Sequence, residues 1–318
     1  MKRGFFGGAA GSESVDFGGQ AGVGVFGNTL ASLFYRLNYM KLYEHQFVEI
    51  YNQVDIVNGL VLRADAGYYQ RSLLNNHSDF AFFKYDNRSY TLNSPPVDSS
   101  ELSQIKKHNT TLISLGLSYT PEHYYQIRDD RKYMLTSRFP TFNIQCRTGF
   151  PDIGKSEIKF FNFEGGIEQT IRSGPGNKFS YQLIYGNFLS QKDLNFIDYK
   201  HFKTPLLPFI IGDFSKSYNF LEYYKYSTNS YYAQAFIKYQ SSYLALKYLP
   251  WLSNRIWNEN IYFSVLYTNK VQPYWETGYT MTNIGVVFGA GFFIGFNKLN
   301  FHMIGLKFSL SLRGDYRL

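Results

Sequence analysis

Apolar and polar side chains alternate strictly in two neighbouring segments near the middle of the chain. In residues 138–150, Phe142, Ile144 and Cys146 occupy one face of an extended chain, and polar residues occupy the other. In residues 157–172 the apolar face carries Phe161, Phe163, Gly165, Ile167 and Ile171. A period of two residues predicts two antiparallel strands, with a turn at the proline, aspartate and glycine between them.

The second of these strands has the features of a membrane-spanning wall. It covers about 16 residues, whereas strands of soluble sheets usually have about 5–6. A long strand with aromatic rings on one face and charges on the other is typical of a transmembrane β-barrel, in which residues face lipid and lumen in turn. We therefore expect Phe161, Phe163 and Ile167 to face lipid. On the other face we expect Glu164, Glu168 and Arg172 to be hydrated in the lumen or paired there, for example with Arg147.

Comparable alternation predicts strands along most of the chain. Asn58-Gly59, a strong signal for a two-residue hairpin, separates predicted strands at 47–56 and 60–71. The remaining predicted strands cover residues 110–119, 178–189, 222–226, 231–239, 259–268, 273–281, 283–296 and 302–312. The total is about eleven or twelve strands. Because bacterial barrels have even numbers of strands, twelve would close, and so would a larger barrel of which this chain lacks the first strands.

Two segments are candidates for short helices at the rim of such a barrel. Apolar side chains in residues 30–43 have approximately helical spacing, and Asn28 and Thr29 precede them as N-cap candidates. We expect a short amphipathic helix there, at the periplasmic rim. Residues 242–254 are the second candidate, either as a rim helix or as a buried loop.

Two polar segments are predicted to be long loops. Residues 86–108 contain two consecutive prolines and a run of polar and charged side chains, which is too long for a turn inside a compact fold. We expect this segment to be an extracellular loop. Residues 191–215, which also contain two prolines, form the second predicted loop.

Composition favours a β-barrel over a helical membrane protein. Aromatic residues make up 19% of the chain, with 29 Tyr and 30 Phe, and such rings favour strands and membrane interfaces. The mean hydropathy of −0.29 is too polar for a helical membrane protein. The longest apolar run, residues 284–296, is shorter than the roughly 20 residues that a spanning helix needs. The net charge of +8 is scattered without basic runs or a nucleic-acid motif, so we expect a basic lumen or rim and no nucleic-acid partner.

The residues with potential for chemistry do not form a recognisable site. Cys146 shares the apolar face of its strand, which indicates a small wall residue. The six histidines are dispersed without metal-ligand spacing: His45, His77, His108, His123, His201 and His302. Glu44 and His45 are interpreted as an exposed rim pair. We therefore predict no catalytic residue, no metal site, no cofactor and no small-molecule substrate.

The start of the chain is basic but has only a brief apolar patch, too short for the core of a secretory signal. An exported barrel without such a signal suggests a fragment of a longer protein. No internal repeat or domain linker divides the sequence. We therefore predict that residues 1–318 form one outer-membrane β-barrel domain, without its signal peptide and periplasmic domains.

A set of short motifs follows in a characteristic order. They are NTL at 28–30, NYMKLYE at 38–44, VNGL at 57–60, RSLLN at 71–75, FPTF at 139–142, LPWL at 249–252, WNE at 257–259 and PYWETGY at 273–279. Over nearly the whole chain this order resembles the C-terminal barrel of a Bacteroidota outer-membrane family of unknown function, whose longer members begin with a carboxypeptidase-regulatory-like domain. That barrel is distantly similar to the barrels of outer-membrane assembly and translocation proteins. The Arg-Gly-Phe loop motif of that superfamily is absent as such, and Arg147-Thr148-Gly149-Phe150 does not replace it.

The resemblance implies a location in the bacterial outer membrane more than an activity. Its first functional implication is assistance in the assembly or translocation of envelope components. A passive structural or pore-forming barrel is the alternative, and an outer-membrane enzyme such as a lipid hydrolase is a second one. The enzyme would need a serine and a histidine on the lipid face, and His302, which shares parity with Ile304, is the one histidine so placed. The expected partners are outer-membrane lipid and periplasmic or outer-membrane proteins.

Overall fold

The computed structural model describes residues 4–19, 23–83, 85–95, 107–128, 131–135, 137–174, 176–192, 194–205, 207–242, 244–249 and 257–311. The fold is all-β, as predicted, and the described residues contain one α-helix, α1 (Val25–Tyr35). The strands are β1 (Gly4–Asp16), β2 (Leu42–Val57), β3 (Leu60–Leu73), β4 (His108–Tyr119), β5 (Tyr125–Arg128), β6 (Arg131–Met134), β7 (Thr141–Phe150), β8 (Lys159–Arg172), β9 (Lys178–Lys192), β10 (Phe209–Ile211), β11 (Tyr232–Ser241), β12 (Asn258–Thr268), β13 (Tyr274–Ile284), β14 (Phe288–Asn297) and β15 (Asn300–Leu310). Short 3₁₀ turns occur at Ile153–Lys155, Phe196–Asp198 and Leu246–Tyr248.

One sheet of thirteen strands organises the molecule, in the order β1-β2-β3-β4-β7-β8-β9-β11-β12-β13-β14-β15-β10. Its long strands are antiparallel neighbours in sequence order, whereas the three-residue β10 lies parallel to β15. Without β10 the sheet has twelve strands, but the set differs from the predicted one: β1 is not among the predicted strands, and the predicted strand at 222–226 does not form. The edges β1 and β10 are not hydrogen-bonded to each other within the described part of the chain. β5 and β6 form a separate hairpin.

The hairpin between β2 and β3 forms at Asn58-Gly59, as the sequence predicts. Gly59 has a φ of +82°, a conformation that residues with a side chain rarely adopt. A Cβ atom at this position would lie 2.2 Å from the carbonyl oxygen of Thr120. Both the turn and the close approach of the neighbouring connection therefore require glycine.

The connections between the strands fall at two ends of the sheet. At one end, called here the loop end, lie the long connections 17–41, 74–107 and 193–231. At the other, the turn end, lie the short turns 58–59, 173–177 and 285–287, together with two longer connections: 120–140, which carries β5 and β6, and 242–257.

Helix α1 and the predicted loop 86–108 lie at the same end of the sheet. The amide of Phe82, in the connection that contains this loop, donates to the carbonyl of Leu33, and the rings of Phe34 and Phe82 are 5.5 Å apart. The sequence predicts the helix at the periplasmic rim and the loop on the extracellular side. Because both lie at one end of the sheet, at least one of these two placements is wrong. Residues 96–106 of the loop lie outside the described residues.

The helix also begins and ends earlier than the predicted range of 30–43. It ends at Arg36, whose φ is 54°, and residues 42 and 43 already belong to β2. The proposed caps have other roles: the Thr29 hydroxyl donates to the carbonyl of Val25, and the Asn28 side chain accepts from the amide of Met40. Apolar spacing alone could not separate the helix from the strand that follows, because both bury aromatic and leucine side chains.

The two central strands have the faces that their alternation predicts. Phe142 and Ile144 on β7 are each 43% exposed on the outer face. On β8, Glu164 and Glu168 point inward and pair with Lys200 and Lys216 of the connection between β9 and β11. Cys146 lies on the outer parity of β7, as predicted.

Candidate functional site

The interior of the curled sheet is occupied by part of the chain itself. Residues 194–231, called here the plug, connect β9 to β11. Apart from β10, which pairs with β15 at the sheet edge, they pack against the inward faces of strands from both halves of the sheet. Its buried apolar side chains are Leu194, Phe196, Ile197, Tyr199, Phe202, Phe214, Tyr218, Leu221, Tyr224 and Tyr226. The sequence interpretation of this segment, a second long loop followed by a strand at 222–226, is corrected: residues 222–226 form turns inside the plug.

Asp198 fixes the first part of the plug. It lies in the 3₁₀ turn that the Asn195 side chain caps by accepting from the amide of Ile197. Its carboxylate accepts from Arg71 of β3 at 2.9 Å and from Arg147 of β7 at 2.5 Å. The Asp198 side chain is 0% exposed and the Arg71 side chain 4%. Two guanidiniums from separate strands therefore converge on one plug carboxylate.

The charge of Asp198 is maintained by these partners. Burial by itself opposes ionisation, but the nearby Arg71 and Arg147 outweigh it, so the pKa of Asp198 is held below its usual value. The group remains a carboxylate at neutral pH. A buried carboxylate with two cationic donors anchors the plug to β3 and β7.

Further contacts bind the rest of the plug to the wall. Glu276 of β13, 1% exposed, accepts from the backbone amides of Asn219 at 2.8 and 2.9 Å and of Phe220 at 3.3 Å. Glu164 of β8 accepts from Lys200 and from the Tyr232 hydroxyl. Arg147 thus pairs with Asp198, whereas the sequence interpretation offered it as a partner for the β8 carboxylates.

The plug also contacts both edges of the sheet. At the β1 edge, the hydroxyls of Tyr223 and Tyr224 donate to Asp16, with 2.6 Å from Tyr224. At the β15 edge, Lys307 donates to the carbonyls of Pro205 at 2.7 Å and Leu207 at 2.9 Å. The plug therefore contacts both edges of the sheet, which are not hydrogen-bonded to each other in the described part of the chain.

His201 of the plug is held as a neutral imidazole. Its Nε2 lies 3.1 Å from the carbonyl oxygen of Phe196, which can only accept, so Nε2 carries the proton. Nδ1 then accepts from the Ser227 hydroxyl at 2.7 Å. Burial lowers the pKa of His201 to about 4.

Acidification is expected to weaken the packing around His201. The unfolded chain binds a proton near pH 6.5 and the folded chain only near pH 4, so the stabilising contribution is complete above pH 6.5 and falls as the pH decreases towards 4. At pH 5 the loss is about 2 kcal/mol relative to pH 8. Urea unfolding at both pH values measures it. His201→Gln is the control, and an equal pH dependence in this variant would contradict the assignment to His201.

Below the plug, at the turn end, lies a cavity of about 540 Å³. Residues of β8, β9, β11 and β12 form its wall, residues of the connection 120–140 and Thr141 line it as well, and residues 213–216 of the plug form its roof. Polar and charged side chains predominate along this wall. Because charged side chains of both signs line this cavity, it is the candidate binding site.

The residues singled out in the sequence lie apart from this cavity and from one another. A bulge near residue 302 separates the parity of His302 from that of Ile304, so His302 points inward, 3.2 Å from the carbonyl oxygen of Phe220. Its placement on the lipid face beside Ile304 is therefore wrong. Glu44 and His45 point to opposite faces of β2, and His45 stacks on Tyr69 in the interior, which corrects the exposed rim pair.

Neither a metal-binding cluster nor a membrane-spanning helix occurs among the described residues. No group of three or more His, Cys, Asp or Glu side chains could hold a metal ion there. Among the described helices, none has the length and apolar character required to cross a membrane.

Sequence reasoning missed the plug because its side chains follow no simple period. The signal that could have indicated it is the aromatic density of residues 218–226, YNFLEYYKY, in a segment otherwise interpreted as loop and strand. Exposed loops rarely carry so many large rings. Nothing in the sequence indicates that the wall residues Arg71 and Glu276 bind residues of the plug.

The fold and its interior define a class: an all-β protein in which a curled antiparallel sheet encloses a plug from its own chain. The family model described as "Family of unknown function (DUF5686) C-terminal domain" matches residues 1–281, and the chain belongs to this family. The chain is also similar to a solved structure, BamA from Haemophilus ducreyi lacking POTRA domains 1-3, with 9% identity and a TM-score of 0.45. The similarity covers 84% of this chain and 55% of that one, so the match spans about half of its length. Comparison with curated proteins gave no match.

Proposed function

We propose that this protein is a β-barrel protein of the bacterial outer membrane. The support is the distribution of side chains on the sheet: large apolar residues on the outer face, and ion pairs and polar groups on the inner face. The exposed apolar residues include Val48, Ile50, Leu115, Ile144, Leu183, Ile261, Leu306 and Phe308. An apolar surface of this extent needs a cover, and lipid is the cover that a barrel wall meets in a membrane.

The orientation follows from the lengths of the connections. Outer-membrane barrels have short periplasmic turns and longer extracellular loops. By this rule the loop end, with α1, is extracellular and the turn end is periplasmic. The start of β1 and the end of β15 then both lie on the periplasmic side.

Within the outer membrane, we infer that the protein assists the assembly or translocation of envelope components. The observation that carries this proposal is the outer edge of β1: all thirteen residues pair with β2, and no other described strand pairs with them. Unpaired backbone groups in lipid cost several kcal/mol each. An edge of this length therefore favours pairing with a further strand, such as one of a client protein.

Photocrosslinking tests whether a client strand pairs with β1. A photoreactive residue replaces Ala10 on β1, and as a matched control Ala235 on β11, which has neighbours on both sides. We expect Ala10 variants, and not Ala235 variants, to crosslink newly made outer-membrane proteins. Crosslinks to lipid alone from both positions would contradict a client at this edge.

Depletion of the protein tests the assembly role independently. We expect the abundance of several other outer-membrane proteins to fall in a quantitative census of the membrane. An unchanged census would overturn the proposal. The periplasmic or outer-membrane protein partners, the Bacteroidota source and a carboxypeptidase-regulatory-like domain upstream are further proposals that rest on the family resemblance.

A passive structural or pore-forming barrel is the alternative. The plug argues against an open pore, because it lies inside the curled sheet and contacts the wall on several strands. The full-length protein in planar bilayers is therefore expected to conduct weakly. A lipid hydrolase is the second alternative, and the inward position of His302 removes the one histidine proposed for a lipid-face pair.

A further inference from the structure

Six lysine, arginine, aspartate and glutamate side chains line the cavity at the turn end, and they include charges of both signs. They are Glu168, Arg172, Lys178, Asp213, Lys216 and Lys238. Both carboxylates have a lysine partner: Lys216 lies 2.6 Å from Glu168, and Lys238 lies 2.7 Å from Asp213. The acidic charge of the cavity is therefore already balanced by these two ion pairs.

The other two cationic side chains form a surplus at the mouth of the cavity. Arg172 and Lys178 are directly opposite each other on β8 and β9, beside the turn at 173–177. Among the described residues, no carboxylate lies within ion-pair distance of either side chain. Like charges that are directly opposite destabilise an antiparallel strand pair. A bound anion would turn this unfavourable pair into two favourable contacts.

The next inward position on the same two strands adds hydroxyl groups. Thr170 and Ser180 are hydrogen-bonded to each other at 2.9 Å, and both line the cavity. In such a pair one hydroxyl donates its proton to the other, which leaves the second O–H free to donate elsewhere. The mouth therefore presents the planar fork of Arg172, the ammonium of Lys178 and one free hydroxyl.

We propose that Arg172 and Lys178, with the Thr170–Ser180 hydroxyl pair, bind a phosphate-type oxyanion at the mouth of this cavity. Two adjacent positive charges match a doubly negative group, and several donors from different directions match a tetrahedral group with multiple acceptor oxygens. The group is carried either on a lipid headgroup or as free phosphate. This site is independent of the β1 edge and of any client strand.

Isothermal titration of the full chain in dodecyl maltoside micelles tests the site. One arm titrates inorganic phosphate against sodium chloride of equal ionic strength. A second arm compares the thermal unfolding of the protein in mixed micelles that contain either phosphatidic acid or phosphatidylcholine. The variants are Arg172→Gln, Lys178→Gln and, as a matched control on the far end of the same strand, Lys159→Gln.

Removal of one charge-assisted contact is expected to weaken binding about tenfold. Each of Arg172→Gln and Lys178→Gln should therefore bind about tenfold more weakly, and Lys159→Gln should bind as the unchanged protein does. A variant-sensitive response to phosphatidic acid without binding of free phosphate identifies a lipid headgroup as the source. If Arg172→Gln fails to fold, Arg172→Lys and Lys178→Gln carry the comparison, and Arg172→Lys should keep most of the affinity.

Two results would overturn the site. The first is absence of binding in both arms by the unchanged, folded protein. The second is equal affinity in the Gln variants and in Lys159→Gln, which would place any bound anion elsewhere. Neither result bears on the crosslinking at Ala10, so failure of this site and failure of the assembly role remain distinguishable.

Discussion

Ile144→Arg is expected to impair folding into bilayers by about 2–4 kcal/mol, whereas Gln145→Arg, one residue further along β7, should cost far less. Ile144 lies on the outer face of the sheet, opposite Gly165 in the middle of β8. Gln145 lies on the inner face, opposite Glu164. An arginine there remains hydrated or pairs with that carboxylate, while hydrocarbon offers no partner to an arginine at position 144.

The comparison controls for depth, because consecutive residues of one strand lie at nearly the same level in the membrane. It is measured as the free energy of unfolding from lipid vesicles in a urea titration. A scan of arginine through residues 160–170 of β8 extends the test, and there Phe163→Arg should be among the costly changes. Costs that do not alternate between odd and even positions would rule out a wall between lipid and lumen.

The same strand shows why the inner control must be chosen from the structure. From alternation alone, Glu164→Gln is expected to have little effect, since its side chain faces the lumen. In the structure Glu164 accepts from Lys200 and Tyr232, so its loss leaves a plug lysine without its partner. We therefore expect Glu164→Gln to weaken the plug measurably, and Gln145 is the better control.

Asp198→Asn is expected to destabilise the protein by about 3–5 kcal/mol, because it leaves the buried guanidinium of Arg71 without a counter-charge. The change keeps the shape of the side chain, so the effect reports charge rather than packing. Urea unfolding in micelles measures it. Planar-bilayer conductance should rise in the same variant, because the plug loses its contact with both β3 and β7.

Two comparisons make this result specific. Glu222→Gln removes one partner of the exposed pair with Lys225 and should cost about 0–1 kcal/mol. Arg71→Met combined with Asp198→Asn should be less destabilising than the sum of the single changes, because the double variant contains no unpaired buried charge at this pair. An Asp198→Asn protein as stable as the Glu222→Gln protein would mean that this centre does not anchor the plug.

Alternation in the sequence by itself determined the class of the fold, most of the long strands and the two faces of β7 and β8. These features depend on local geometry, since successive side chains of a strand point to opposite sides whatever the strand packs against. The turn at Asn58-Gly59 was equally local, because a tight hairpin needs residues that tolerate positive φ. For these elements the period of two residues carries all the necessary information.

Only the tertiary structure decided what fills the interior. The plug has no period, and its position depends on contacts between residues far apart in the chain: Asp198 with Arg71, Glu276 with Asn219, and Tyr224 with Asp16. The bulge that turns His302 inward and the surplus of positive charge at Arg172 and Lys178 also depend on strand register. Strand register and long-range pairing are set by the whole sheet at once. A buried carboxylate such as Asp198 depends on cations that the fold brings to it from distant strands, and no local pattern in the sequence indicates which cations these are.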